Sequence, residues 1–274
     1  MFLSLISFEI YNKKIKCSEL EDCCNEDECD DTKRRIKTNI LIASFLYILN
    51  SSIFLSETIL YLMIYNCKKI DNLNDLKFSK DQVAIYNRNS PKGFDTFFEN
   101  LYVSPFSVRG IVNKNTAKKD IEEILSSQIS EILKKNEFYK NWILDMSNIC
   151  KIFCNFKDDK SISFWLGTQR GCKRYHVDMV PYRLLVTYAG QGTELLPNAG
   201  ANRNAFINGK PNKEILKNKS YLSNLNEWDI AIFRGGQEGI LHRTPESALK
   251  GNSSILMRLD DKSFYKDIER INNL

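Results

Sequence analysis

Hydrophobic residues along this chain change their spacing twice, and each change marks a different kind of element. Residues 40 to 65, ILIASFLYILNSSIFLSETILYLMIY, form the most apolar stretch, with KRRIK before it and CKK after it. Asn50, Ser51, Ser52, Ser56 and Glu57 fall in its middle. A charge at the centre of a membrane span costs roughly 2.5 to 3.5 kcal/mol, against about 0.3 to 0.6 gained per Leu or Ile, so insertion comes out near balance. The stretch reads as one long packed helix or two short buried ones, with a membrane anchor as the alternative. A short strand, QVAIYNR, follows near residue 82, and Asn89, Pro91 and Gly93 mark the loop after it. Ile121, Ile124, Leu125, Ile129, Ile132 and Leu133 then recur at three- and four-residue steps, which predicts a helix over about 116 to 135 with one buried face. Phe138, Trp142, Met146, Ile149, Phe153 and Phe156 predict a second helix, on which Cys150 and Cys154 read as small core residues.

After residue 160 the helical period gives way to short β-forming runs separated by Gly, Asn and Pro: SISFWLGT, RLLVTYAG, NAFIN, WDIAIF, GILHRT and SSILMRL. Such strands, preceded by helices able to cover one face, predict an α+β fold with a double-stranded β-helix core (jelly roll, cupin-like) and packed N-terminal helices. The composition changes near residue 80. The expected organisation is an extension over 1–79, a helix-buttressed jelly-roll domain over 80–264 and a tail over 265–274.

With 274 residues and 43% hydrophobic content, the chain can bury the core of one such domain. The net charge of +5 is spread among acidic residues rather than gathered into basic stripes, so nucleic acid is not indicated. Eight cysteines in a chain this long do not suggest a disulfide scaffold, and no cleavable signal peptide is read at its start. The expected setting is reducing and intracellular, most simply cytoplasmic. Cys17, Cys23, Cys24 and Cys29 crowd into CSELEDCCNEDEC, which lacks the paired arms of a structural zinc site and reads as an acidic loop.

The chain contains two histidines, both in the β-rich half. In GCKRYHVDMVP, His176 and Asp178 are two residues apart, so in an extended segment their side chains leave the same face. His242, in GILHRTP, lies 64 residues beyond Asp178, far enough for the intervening strands to return to the first site. Two imidazoles and one carboxylate leave three positions of an octahedral ion open, an arrangement suited to Fe(II), although another divalent metal is conceivable. The bland alternative is two unrelated histidines, each satisfied by a hydrogen bond. Against it, NEWDIAIFRGGQEGILHRTP has the turn, strand, glycine-rich loop and His that would carry His242 to the His-x-Asp segment.

The block CKRYHVDMVPYRLLVTYAGQGTELLP, with WDIAIFRGG and LHRTPE, resembles the family known as domain of unknown function 1826 over about residues 80 to 262. Its motif order is also similar to that of the iron- and 2-oxoglutarate-dependent oxygenases. That resemblance implies metal ligation by His176, Asp178 and His242, with 2-oxoglutarate as co-substrate and a basic residue on a following strand holding its far carboxylate. Arg258, 16 residues after His242 in SSILMRLDD, is the first choice, its rival reading being an ion pair with Asp260 or Asp261. Arg183 is a reserve. Arg243 follows His242 directly and should point to the opposite face or the pocket rim. Thr187 and Tyr188 offer hydroxyls, of which one should face inward, and Glu194 in GQGTE could support a ligand or face a substrate. Asp229 reads as a turn residue. The implied activity is a hydroxylase-type oxygenase. The alternatives are a cupin-like metalloenzyme without 2-oxoglutarate and a non-catalytic metal-binding or sensing protein. No motif names a substrate or a macromolecular partner.

Overall fold

The alternating segments after residue 160 assemble into two sheets. A computed structural model of the chain describes residues 63–101, 105–249 and 254–272, all within one unit spanning Thr58–Leu274. The acidic cysteine cluster and residues 40 to 62 of the apolar stretch lie outside the described residues. Among the described residues, no helix is long and apolar enough to cross a membrane.

In chain order the strands are β1 (Ile64–Asn66), β2 (Val83–Tyr86), β3 (Ser107–Asn113), β4 (Ser161–Gly167), β5 (Tyr182–Ala189), β6 (Glu194–Leu196), β7 (Ser223–Asn224), β8 (Ile230–Arg234), β9 (Leu241–Arg243) and β10 (Ile255–Asp261). The larger sheet runs β1-β2-β8-β5-β10-β4-β3 and the smaller β7-β6-β9. Among the described residues only the β1–β2 pair is parallel. Because β1 pairs with β2, the sheet takes in residues that the composition change at residue 80 assigns to the extension.

Strand alternation gives the larger sheet two different apolar faces. One carries Ile162, Phe164, Leu184, Val186, Tyr188, Ile230, Ile232, Met257 and Leu259 into the main core. The helices α1 (Phe94–Leu101), α2 (Ala117–Leu125), α3 (Glu131–Lys134) and α4 (Glu137–Lys157) lie along this side, and α1, α2 and α4 cover it through Phe98, Ile121, Trp142 and Met146. The opposite face carries Val83, Ile85, Leu185, Ala231 and Phe233, which share a second cluster with Leu195 of β6 and Ile240 beside β9. That cluster fills the space between the sheets.

Two local expectations need correction. The predicted 116–135 helix is broken: α2 stops at Leu125, and Ser130 starts α3 by accepting a hydrogen bond from the Leu133 amide. Ile132 is consequently exposed rather than buried. The serines of SSQIS favour local side-chain bonds over helix continuation, which the apolar spacing does not register. NAFIN is not a strand but part of helix α5 (Arg203–Ile207), because Asn202 caps it through the Ala205 amide and Gly209, at φ +70°, ends it. Helix α4 matches its apolar spacing closely, with Cys150 and Cys154 fully buried as free thiols.

Candidate metal centre

His176 and His242 lie side by side because their backbones exchange both hydrogen bonds of an antiparallel bridge, at 3.1 and 3.0 Å. Their ring centroids are 4.3 Å apart. Phe233 of β8 packs its ring 4.8 Å from His242 and closes the inner side. Asp178 is set by the chain beyond the bridge. Its carbonyl accepts from the Gly236 amide at 2.7 Å, and a Cβ on Gly235 would stand 1.8 Å from the Val180 carbonyl oxygen. Only glycine allows the β8–β9 loop to lie this close to the His-x-Asp segment.

The three side chains offer donor atoms that all lie within 4.8 Å of one another. His176 Nδ1 is 3.0 Å from the Arg174 carbonyl, and His242 Nδ1 is 3.0 Å from the Ile240 carbonyl. A carbonyl only accepts, so each Nδ1 carries the proton and each Nε2 keeps its lone pair. Asp178 accepts from Arg183 Nη1 on Oδ1, while its Oδ2 is buried, has no hydrogen-bond partner and lies 3.5 Å from His242 Nε2. An orphaned carboxylate oxygen beside two imidazole lone pairs is a donor set that fits a divalent cation.

The electrostatics of the two histidines differ, and only those of His242 favour a neutral ring. Burial pushes the His242 pKa down to about 4, with Asp178 pulling the other way. For His176 burial also opposes protonation, but the Cys172 thiol and the Arg174 carbonyl outweigh it and the pKa rises. The same contact with His176 lowers the Cys172 thiol.

Arg183 bridges two carboxylates, Asp178 through Nη1 and Asp260 through Nε at 2.7 Å. Arg258 faces the same side, since its partner across the β5–β10 ladder is Leu185 of the intersheet cluster. Its charge is engaged: Nε lies 2.9 Å from Asp260 Oδ2, as a charge contact without an aligned hydrogen bond, and its guanidinium stacks on Phe264 and Trp165. The rival reading of Arg258, a pair with Asp260, is therefore what the structure holds.

Of the adjacent hydroxyl pair, Thr187 lies on the inner face of β5, where its Oγ1 is buried and unpartnered. The expectation for Tyr188 is overturned. It points into the helix-side core and donates to Asp145 at 2.8 Å, a carboxylate that Arg88 also holds at 2.6 Å. Burial and Asp145 together raise its pKa well above the usual phenol value. Arg243 and Glu194 pair with each other, Nε to Oε1 at 2.6 Å, with the Tyr175 hydroxyl donating to the same carboxylate. They sit opposite each other across β6–β9, on the reverse face from His242 and Leu195, so Glu194 does not reach the ligands. Asp229 accepts from the Asn87 side chain and the Arg88 and Asn226 amides, as a turn residue does. A polar surface cavity of about 680 Å³, lined in part by Asn87, Arg88, Gln191 and Glu227, contains none of the triad.

Two residues near the triad escaped the sequence reading. Cys172, which opens the CKRYHVDMVP block, sits against His176, and Arg170 lies two residues earlier in TQRGC, where no motif marks it.

The described residues thus define a two-sheet α+β protein whose inner face carries a His-Asp-His triad able to take a metal ion. The chain belongs to the family described as protein of unknown function (DUF1826), which it matches over residues 68–260. That span includes β2 through most of β10 and all three triad residues. No curated protein matches the chain. A solved structure of a dioxygenase for auxin oxidation in rice is similar at 7% identity and a TM-score of 0.37, covering 73% of this chain and 82% of that one.

Proposed function

We propose that the protein is a non-haem Fe(II)-dependent oxygenase of the double-stranded β-helix class, hydroxylase-type, with 2-oxoglutarate as co-substrate. The observation that carries the metal part is the unpartnered, buried Asp178 Oδ2, 3.5 Å from His242 Nε2, in a triad whose ligand atoms all lie within 4.8 Å of one another. The strand order supports the jelly-roll reading. β8-β5-β10-β4 faces β7-β6-β9, and the His176 bridge extends the smaller sheet by a fourth, single-residue rung. His176, Asp178 and His242 would hold the ion, with Arg183 fixing the Asp178 carboxylate from behind. When bound, Fe(II) would supply the activation of dioxygen, coupled to oxidation of 2-oxoglutarate to succinate and carbon dioxide. The chain's own part is to hold two imidazoles and one carboxylate on one side, leaving the rest of the coordination sphere to ligands.

The test is anaerobic metal analysis followed by assay of succinate. Wild-type protein is expected to bind Fe(II) stoichiometrically, His176→Ala to lose it, and iron-loaded protein to form succinate from 2-oxoglutarate in air. Unchanged metal content in His176→Ala would sink the site. Iron binding without succinate would sink only the co-substrate, leaving a cupin-like metalloenzyme, the reading that the engagement of Arg258 by Asp260 favours.

A further inference from the structure

Arg183 and Arg258 both lean on Asp260, so two of the arginines near the site already have a buried counter-charge. Arg170 does not. It follows β4 in the loop that leads to the His-x-Asp segment, and it is partly buried. Its guanidinium donates from Nη1 to the Gln191 carbonyl at 3.3 Å and to Ser254 Oγ at 3.1 Å, and from Nη2 to Thr193 Oγ1 at 3.2 Å. All three acceptors are neutral, and no carboxylate among the described residues lies within ion-pair distance of it. Burial draws its pKa down to about 10, so the charge persists at neutral pH without an anion to balance it. A desolvated guanidinium served only by neutral oxygens is costly, and a carboxylate is the ligand its planar fork fits.

Its position relative to the triad follows from strand register. Leu195 of β6 is the cross-strand partner of His242 and belongs to the intersheet cluster. Thr193 directly precedes β6, two residues before Leu195, which puts it roughly 7 Å along the chain from the partner of His242. The Cys172 carbonyl accepts from the Thr244 amide at 2.9 Å and its thiol lies against His176, which ties the 170–172 turn to the triad. Thr187 adds a buried, unpartnered hydroxyl on the inner face of the larger sheet.

We propose that Arg170, with Thr193 and Ser254 beside it, is the carboxylate-binding residue of this site, and that it, rather than Arg258, anchors the far carboxylate of a ligand whose other end reaches the triad. This rests on the metal-site reading above. The carboxylate belongs either to 2-oxoglutarate or to an acidic substrate, and the two sources separate experimentally.

Anaerobic Fe(II)-loaded protein is titrated with 2-oxoglutarate and with 2-oxobutyrate, which keeps the chelating 2-oxo acid but lacks the second carboxylate, following the visible charge-transfer absorption of the chelate. Succinate, which needs no 2-oxo chelation, is titrated in parallel by calorimetry. Wild type should prefer 2-oxoglutarate by roughly tenfold to a hundredfold, the range of charge-assisted hydrogen bonds. Arg170→Gln should abolish that preference at unchanged iron content, Arg170→Lys should restore part of it, and Arg258→Gln should keep it. If wild type shows no preference between the 2-oxo acids but Arg170→Gln weakens succinate at least tenfold, the subsite stands and the carboxylate is the substrate's. If Arg170→Gln leaves every affinity within about twofold, or if Arg258→Gln alone abolishes the preference, the proposal is overturned. Should Arg170→Gln fail to fold, Arg170→Lys decides, since equal affinity for lysine and arginine at a two-pronged carboxylate site contradicts the proposed fork. Failure of wild type to bind iron would overturn the metal reading, and the succinate arm would still decide Arg170.

Discussion

His242 is buried as a neutral ring, and that has a measurable cost in acid. Its pKa is about 4 in the folded protein, against 6.5 for a free imidazole, because burial penalises the charged form. Between those two values the unfolded chain binds a proton that the folded state refuses, so stability falls as pH drops. The contribution is fully present above pH 6.5 and lost progressively down to about pH 4. The shift corresponds to about 3 kcal/mol at 1.36 kcal/mol per pH unit. His176 acts in the opposite sense, since its pKa is raised: its contribution is present below 6.5 and lost as pH rises through the folded value. The assay must therefore isolate His242. Urea unfolding of metal-free wild type and His242→Gln at several pH values between 4 and 7.5 gives a difference curve in which His176 and the carboxylates largely cancel. The difference, wild type minus variant, should shrink by about 3 kcal/mol from pH 7 to pH 4. A flat curve would refute the reasoning, because it would mean that His242 titrates alike in both states and is not held neutral by burial.

Two further outcomes test the surroundings of the triad. Arg183→Met leaves the buried Asp178 without its cation and should cost about 3 to 5 kcal/mol in metal-free protein, the usual range for one half of a buried pair. Saturating metal should recover part of that loss by replacing the missing positive charge, so the metal-induced rise in Tm should exceed that of wild type; equal rises would contradict the pairing. Tyr188→Phe should destabilise the fold by about 1 to 2 kcal/mol through loss of the hydroxyl bond to Asp145, yet leave iron stoichiometry unchanged. Loss of iron in that variant would show that Tyr188 reaches the site after all.

Legibility in the sequence followed the range of the interactions. Helix α4 was readable because its burial depends on residues three and four apart, and Trp142, Met146, Ile149 and Phe153 keep that spacing. The convergence of His176 and Asp178 was readable because two-residue spacing on an extended segment needs no tertiary information. The break between α2 and α3 and the helix at NAFIN depend on the capping side chains of Ser130 and Asn202, which compete locally with apolar periodicity. Alternation says that only one of Thr187 and Tyr188 faces inward, but which one depends on the register of β5 against β10. Arg170 was beyond reach, because its partners Gln191, Thr193 and Ser254 come from other segments of the chain, and its distinction lies in having no carboxylate beside it among the described residues, which no motif displays.

The register also bears on how open the site can be. A carboxylate with both oxygens free can take two positions on an ion, whereas Asp178 has committed Oδ1 to Arg183 and offers only Oδ2. Arg183 is in turn held by Asp260, and Asp260 by Arg258, so the four charges alternate in sign from the triad to β10. This chain of pairs gives Arg258 a structural task, balancing Asp260 so that Arg183 can remain on Asp178. It follows that Arg258→Gln should weaken metal binding indirectly, through a loosened Asp178, while leaving discrimination between one and two carboxylates intact. Arg170→Gln should do the reverse. On the proposal for Arg170 the two arginines do different work, Arg258 supporting a metal ligand from behind and Arg170 receiving a ligand from the front.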